Sequence, residues 1–76
     1  MIELTHPRIG PAIKREREAR RFSQRRLARA AGISKSALRG YEAGESEPGV
    51  AAAERIAWAL DMTLPHMLKM TETRGR

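Results

Sequence analysis

Between Arg8 and Arg39 the chain carries eleven Lys or Arg residues against two carboxylates, Glu16 and Glu18, a local charge of +9. From Gly40 onward the balance is −2, so the formal charge of +6 on 76 residues is strongly polarised along the chain. Guanidinium and ammonium groups in this density suit a polyanion, and nucleic acid is the commonest polyanion in a cell. Basic composition alone would serve a solvated face equally well; the order of the residues has to decide. The parts needed for covalent or acid–base chemistry are missing. Cysteine is absent, the two histidines are His6, beside Pro7 near the start, and His66, far along the chain, and there is no glycine-rich phosphate loop or carboxylate cluster beside a base. The expectation is a non-enzyme with no metal, no cofactor and no small-molecule site.

These side chains must be held by elements that the sequence can build. Twelve alanines, one valine and three aromatics favour helix and leave little for strands, so an all-α domain is expected. Seventy-six residues allow one small core, which packing has to hold because no disulfide or cysteine-based zinc site can. No apolar run approaches the roughly 18 residues of a membrane span, and no signal-peptide h-region opens the chain, so an intracellular, cytoplasmic protein with no membrane association is expected.

Residues 1–8 read as an arm, 9–70 as the folded domain and 71–76 as a disordered tail. Ile9, Ile13 and Arg17 recur every four residues, and Pro11 is tolerated in a first turn, which predicts a helix over about 11–20. Phe22 packs inward and Ser23 caps a second helix with Leu27, Ala28 and Ala31 on its apolar stripe; Gly32 ends it. Ile33 re-enters the core, Ser34 caps a third helix that buries Leu38 and Tyr41, and Gly44 stops it. A turn over 45–49 precedes a fourth helix over about 50–60 that buries Val50, Ala53, Ile56, Ala57 and Leu60. Thr63 caps a short fifth helix containing Leu64, Met67 and Leu68.

The stretch from Gln24 to Ala43, QRRLARAAGISKSALRGYEA, is the informative one. Two helices of about eight residues joined by a short turn with one glycine have the geometry of a helix-turn-helix. Leu27, Ala31, Ile33, Leu38 and Tyr41 supply the shared seam, Ala28 is small where the helices nearly touch, and Gly32 sets the crossing. The other face of the third helix then carries Ser34, Lys35, Ser36, Arg39, Gly40 and Ala43. That face is short, polar and basic, matched to a major groove about 12 Å wide whose guanines present O6 and N7 acceptors.

The same residues resemble the phage Cro and repressor, or Xre, type of helix-turn-helix domain from Ile9 to about Leu68. The resemblance rests on Gln24, Leu27-Ala28, Gly32-Ile33, Tyr41-Glu42-x-Gly44, Pro48 and Ile56-Ala57-x-x-Leu60, in order and at matching spacings. It implies a compact five-helix bundle of the lambda repressor-like kind, with the third helix in the major groove and a homodimer on a pseudo-palindrome. It also implies roles. Gln24 resembles the residue that hydrogen-bonds a phosphate at the start of helix two, accompanied by Arg21, Arg25 and Arg26. Ser34, Lys35 and Ser36 fall in the first turn of the recognition helix, where bases are read, and Arg39 reaches either a base or the backbone. Arg17 and Glu42 resemble the ion pair that ties helix one to the end of helix three.

Two positions depart from that pattern. Gly40 replaces a long polar side chain, through either close backbone approach or simple tolerance, and weakens the helix by up to ~1 kcal/mol relative to alanine. Trp58 lies about 200° from the core stripe of its helix and is expected on the surface, over the chain's own loop or tail or against a partner. Trp58, Leu64, His66 and Met67 together form a candidate dimer or partner surface, although Leu64 and Met67 would equally close the core.

The function expected is a sequence-specific regulator of transcription, a repressor or autoregulator on a palindromic double-stranded DNA operator in the cytoplasm or nucleoid of a prokaryote. The alternative is an antitoxin or other interaction protein that neutralises a partner and binds DNA secondarily. With the reading unit covering most of the chain, regulation is expected through dimerisation, concentration or a second protein.

Overall fold

Ser23 and Ser34 each have extended backbone immediately before a helix, with hydroxyls accepting at 3.0 Å from the N–H of Arg26 and Ala37 respectively. Thr63 does the same for the His66 N–H at 3.2 Å. Each hydroxyl satisfies one donor that a helix start leaves unpaired. The computed structural model describes residues 9–73, with side chains described over 9–69; the arm 1–8 and residues 74–76 lie outside the described residues.

Five helices follow in order: α1 (Ile9–Ala19), α2 (Gln24–Ala31), α3 (Lys35–Ala43), α4 (Val50–Ala59) and α5 (Leu64–Thr73). No helix is long and apolar enough to cross a membrane among the described residues. Two boundaries correct the sequence expectation. α1 begins at Ile9, two residues early, with Pro11 still in the first turn, where no carbonyl waits for its missing N–H. α5 continues through 71–73, residues expected in the tail, because a helix can run on past its last core contact until its backbone bonding ends.

The first four helices share one ending. The second residue past the helix, or the first at Gly32 and Gly44, has a left-handed backbone: Arg21 at φ 59°, Gly32 at 72°, Gly44 at 79° and Asp61 at 63°. The next residue's N–H then reaches back five positions, from Phe22 to Arg17, Ile33 to Ala28, Glu45 to Gly40 and Met62 to Ala57, at 2.9 to 3.1 Å. This closure satisfies carbonyls that the helix end would otherwise leave open. Sequence reading finds the two glycines and misses Arg21 and Asp61, which carry a Cβ into the same conformation.

The core is a single cluster. Ile9, Ile13, Leu27, Leu38, Ile56, Leu60 and Met67 are fully buried, with alanines 12, 28, 31, 53 and 57 between them. Small side chains let α2 lie closely on α4, its principal neighbour, while α1 packs on α3 and α5 closes the bundle against α1 and α4. Phe22, Ile33, Tyr41, Val50 and Leu68 are only partly buried and line its margin. Leu64 and Met67 belong to this core, so neither forms part of an outer surface; they close the bundle where α5 meets α1 and α4.

Gly10 decides how closely α1 and α3 approach. A Cβ built there would collide with the Tyr41 carbonyl oxygen and lie 3.6 Å from the Glu42 Cα. Only glycine permits this crossing.

Candidate nucleic-acid interface

The interface is assembled on a buried ion pair. Arg17 Nε donates to Glu42 Oε2 at 2.7 Å and Arg17 Nη2 to Glu42 Oε1 at 3.0 Å, a bidentate arrangement joining α1 to the end of α3. The third arm of the guanidinium, Nη1, donates to the Phe22 carbonyl at 2.7 Å and fixes the α1–α2 turn. Hydrogen bonding to Glu42 raises the Arg17 pKa above its ordinary value, against the opposing effect of burial, so the side chain stays cationic wherever the protein is folded.

Glu42 accepts one further bond, from Gln24 Nε2 at 3.0 Å. Gln24 is half-buried, and its amide is held at the start of α2 by the same carboxylate that holds Arg17. Glu42 takes one of the two N–H groups of that amide. Lys14, Gln24, Arg39, Glu42 and Ala43 line a recess of about 200 Å³ between the three helices. Lys14 was not singled out from the sequence, where it is one of many cations on α1; only the packing of α1 beside α3 brings it to the recess.

The basic residues divide into two groups. Arg17 is bound to Glu42, and Arg20 is bound to Glu16 at 2.8 Å, with Arg15 3.9 Å from the same Glu16. Lys14, Arg21, Arg25, Arg26, Arg29, Lys35 and Arg39 make no ion pair among the described residues. Arg25, Arg26 and Arg29 border an open hollow with Ser23 and Ala30, and the Arg26 guanidinium stacks 4.5 Å over the Phe22 ring. That stacking covers Phe22, which is less inward than expected, and holds one guanidinium near the start of α2.

On α3, Ser34, Lys35, Ser36 and Arg39 are all exposed. The Ser34 oxygen is engaged by the Ala37 N–H, which leaves its hydroxyl hydrogen as the group able to reach outward. Gly40 is less open than these four residues: a Cβ there would stand 3.1 Å from the Ser46 hydroxyl of the following turn, so the position faces the chain's own loop. Trp58 and His66 are exposed, Trp58 at 80%, and remain on the surface after Leu64 and Met67 are assigned to the core.

The model of the helix-turn-helix family HTH_3, the Cro/C1 type, matches residues 13–66, which span α1 to the first turn of α5. The chain belongs to this family. Its members are DNA-binding regulators of transcription. No curated protein sequence matches the chain significantly. Among solved structures, the N-terminal DNA-binding domain of SinR from Bacillus subtilis is 31% identical, with a TM-score of 0.77 over 83% of this chain and 93% of that one. SinR in complex with DNA is also 31% identical, with a TM-score of 0.74 over 79% of this chain and 97% of that one. The restriction-modification controller protein C.AhdI from Aeromonas hydrophila is 27% identical, with a TM-score of 0.75 over 79% and 91% of the two chains.

Proposed function

We propose that this chain is a sequence-specific regulator that occupies a palindromic double-stranded DNA operator as a homodimer, acting as a repressor or autoregulator in a prokaryotic cytoplasm. The observation that carries the reading is the exposed, Ser34-capped start of α3, flanked by cations that make no ion pair within their own chain. Ser34, Lys35 and Ser36 read base edges in the major groove. Arg21, Gln24, Arg25 and Arg26 grip phosphates, with Lys14 and Arg39 beside Gln24 at the mouth of the recess, where Arg39 spans base and backbone. The solved complex of SinR with DNA supports this reading.

Rigid phosphate contacts orient the domain, and the Arg17–Glu42–Gln24 network keeps that orientation fixed before DNA arrives. Two copies related by a two-fold axis then place their recognition helices about 34 Å apart on half-sites one turn apart. Selection of bound sites from random duplexes tests the reading. Enrichment of a motif with two-fold symmetry is expected; recovery of unenriched sequence would remove specificity, and a motif without symmetry would remove the dimer.

The exposure of Trp58 favours a second reading, in which the chain also binds another protein. Retention of an untagged partner from native extract, lost on Trp58→Ala, is its test.

A further inference from the structure

Gly40 belongs to the outer face of α3. At the helical period Ser36, Arg39, Gly40 and Ala43 fall on one stripe, with Arg39 to one side of Ser36 and Gly40 to the other. Ser36, Arg39 and Ala43 are exposed, whereas Gly40 is half-buried. The stripe therefore has a position that offers no side chain of its own and is covered by another part of the chain.

The turn that follows α3 supplies the cover. The Gly40 carbonyl accepts from the Glu45 N–H at 2.9 Å and from the Ser46 N–H at 3.4 Å, which pins the turn to residue 40 through its backbone. The Ser46 hydroxyl then stands 3.1 Å from the place of a Gly40 Cβ, in the space that a longer side chain at position 40 would enter. Ser46 is exposed, and its hydroxyl makes no hydrogen bond among the described residues. A donor and acceptor is thus held ready beside the recognition helix, and nothing described in its own chain engages it.

We propose that Ser46 reads a base edge in the major groove in place of the side chain that residue 40 lacks. The proposal rests on the DNA-binding reading above and adds to it a specificity-determining residue from outside α3. A serine hydroxyl pairs with either the acceptors or the amines of the major-groove edge. Charge directs it to bases rather than to the backbone. Arg39, on the other side of the stripe, shares its recess with Lys14 and Gln24, whereas Ser46 lies between the carboxylates of Glu45 and Glu47, which repel phosphate. Gly40 is the seat of this contact, because any Cβ there would press on the hydroxyl.

The experiment is selection of bound sites from random duplexes with the full chain, repeated for Ser46→Ala, Gly40→Ala and the double variant. Each protein is then titrated on the parent's selected operator and on random duplex. Ser46→Ala is expected to flatten the preference at one position of each half-site and to weaken operator binding about three- to tenfold, with no change on random duplex. Gly40→Ala displaces the hydroxyl and flattens the same position. The double variant loses no more than either single one, since both remove one contact. Helix content and the urea midpoint check that each variant is folded.

A motif that Ser46→Ala leaves unchanged overturns the proposal and leaves the DNA-binding reading standing. Equal losses on operator and random duplex also overturn it, since the hydroxyl then contacts phosphate. Additive losses in the double variant overturn the assignment of Gly40 as the seat. If the parent chain itself selects no motif, the reading of sequence-specific binding fails and this proposal with it.

Discussion

Lys35 stands exposed in the first turn of α3 with no ion pair among the described residues, so its loss should be felt only where a partner presents an acceptor. Lys35→Ala is expected to cost about 1 to 3 kcal/mol on the selected operator and little on random duplex. Parallel titrations of both duplexes check this, and equal losses would remove Lys35 from base reading. Arg21 combines two demands. Its left-handed backbone carries a strain that glycine lacks, partly offset by the entropy glycine loses on folding. Arg21→Gly should therefore stabilise the fold by about 0.5 to 1 kcal/mol while weakening DNA binding, a rise in Tm opposed by a fall in affinity. Unchanged affinity would argue against a phosphate contact there. The left-handed state of Arg21 was not legible in the sequence, because nothing local distinguishes an arginine forced into a cap from one on a helix; the caps at Ser23, Ser34, Gly32 and Gly44 were legible because those residue types have a mechanism for the position.

At the scale of elements, two features hold α1 against α3. The first is Gly10, whose replacement by alanine drives a Cβ into the Tyr41 carbonyl and forces the helices apart. Gly10→Ala is expected to cost about 2 kcal/mol or more, read as a fall in the urea midpoint with helix content retained. A stability equal to the parent would mean the crossing is not fixed by this contact. The second is the Arg17–Glu42 pair. Arg17→Met leaves the Glu42 carboxylate, 3% exposed, with Gln24 as its remaining partner, and is expected to cost about 3 kcal/mol. Joint replacement by Arg17→Met and Glu42→Leu should recover most of that loss, because the larger penalty is the unpaired buried charge. Chemical denaturation of both variants checks the order. The helices themselves follow from period and caps, whereas the Gly10 contact joins residues 31 positions apart and has no local signature.

For the whole molecule, the charge asymmetry becomes a statement about salt. Seven cations on α1 to α3 and the turn between α1 and α2 make no ion pair among the described residues, and those on α2 should release counterions on binding. Arg25→Ala or Arg26→Ala is expected to weaken specific and random DNA alike, and to make the slope of log K against log salt shallower by roughly one. An unchanged slope would exclude the contact. The net +9 of residues 8–39 overstates the charge available by one, since Arg17 is tied to Glu42 from outside that range, whereas Glu16, the partner of Arg20, is already counted within it. Composition and periodicity by themselves determined five helices, one core, the helix-turn-helix at Gln24 to Ala43 and the exposure of Trp58, because each follows from residue type at short spacing. Only the tertiary structure decided which cations are free, that Gln24 hangs from Glu42, that Lys14 joins Arg39 at one recess, and that Leu64 and Met67 are core rather than surface. Those are properties of helices brought together from distant parts of the chain, and a one-dimensional period carries no record of which faces meet.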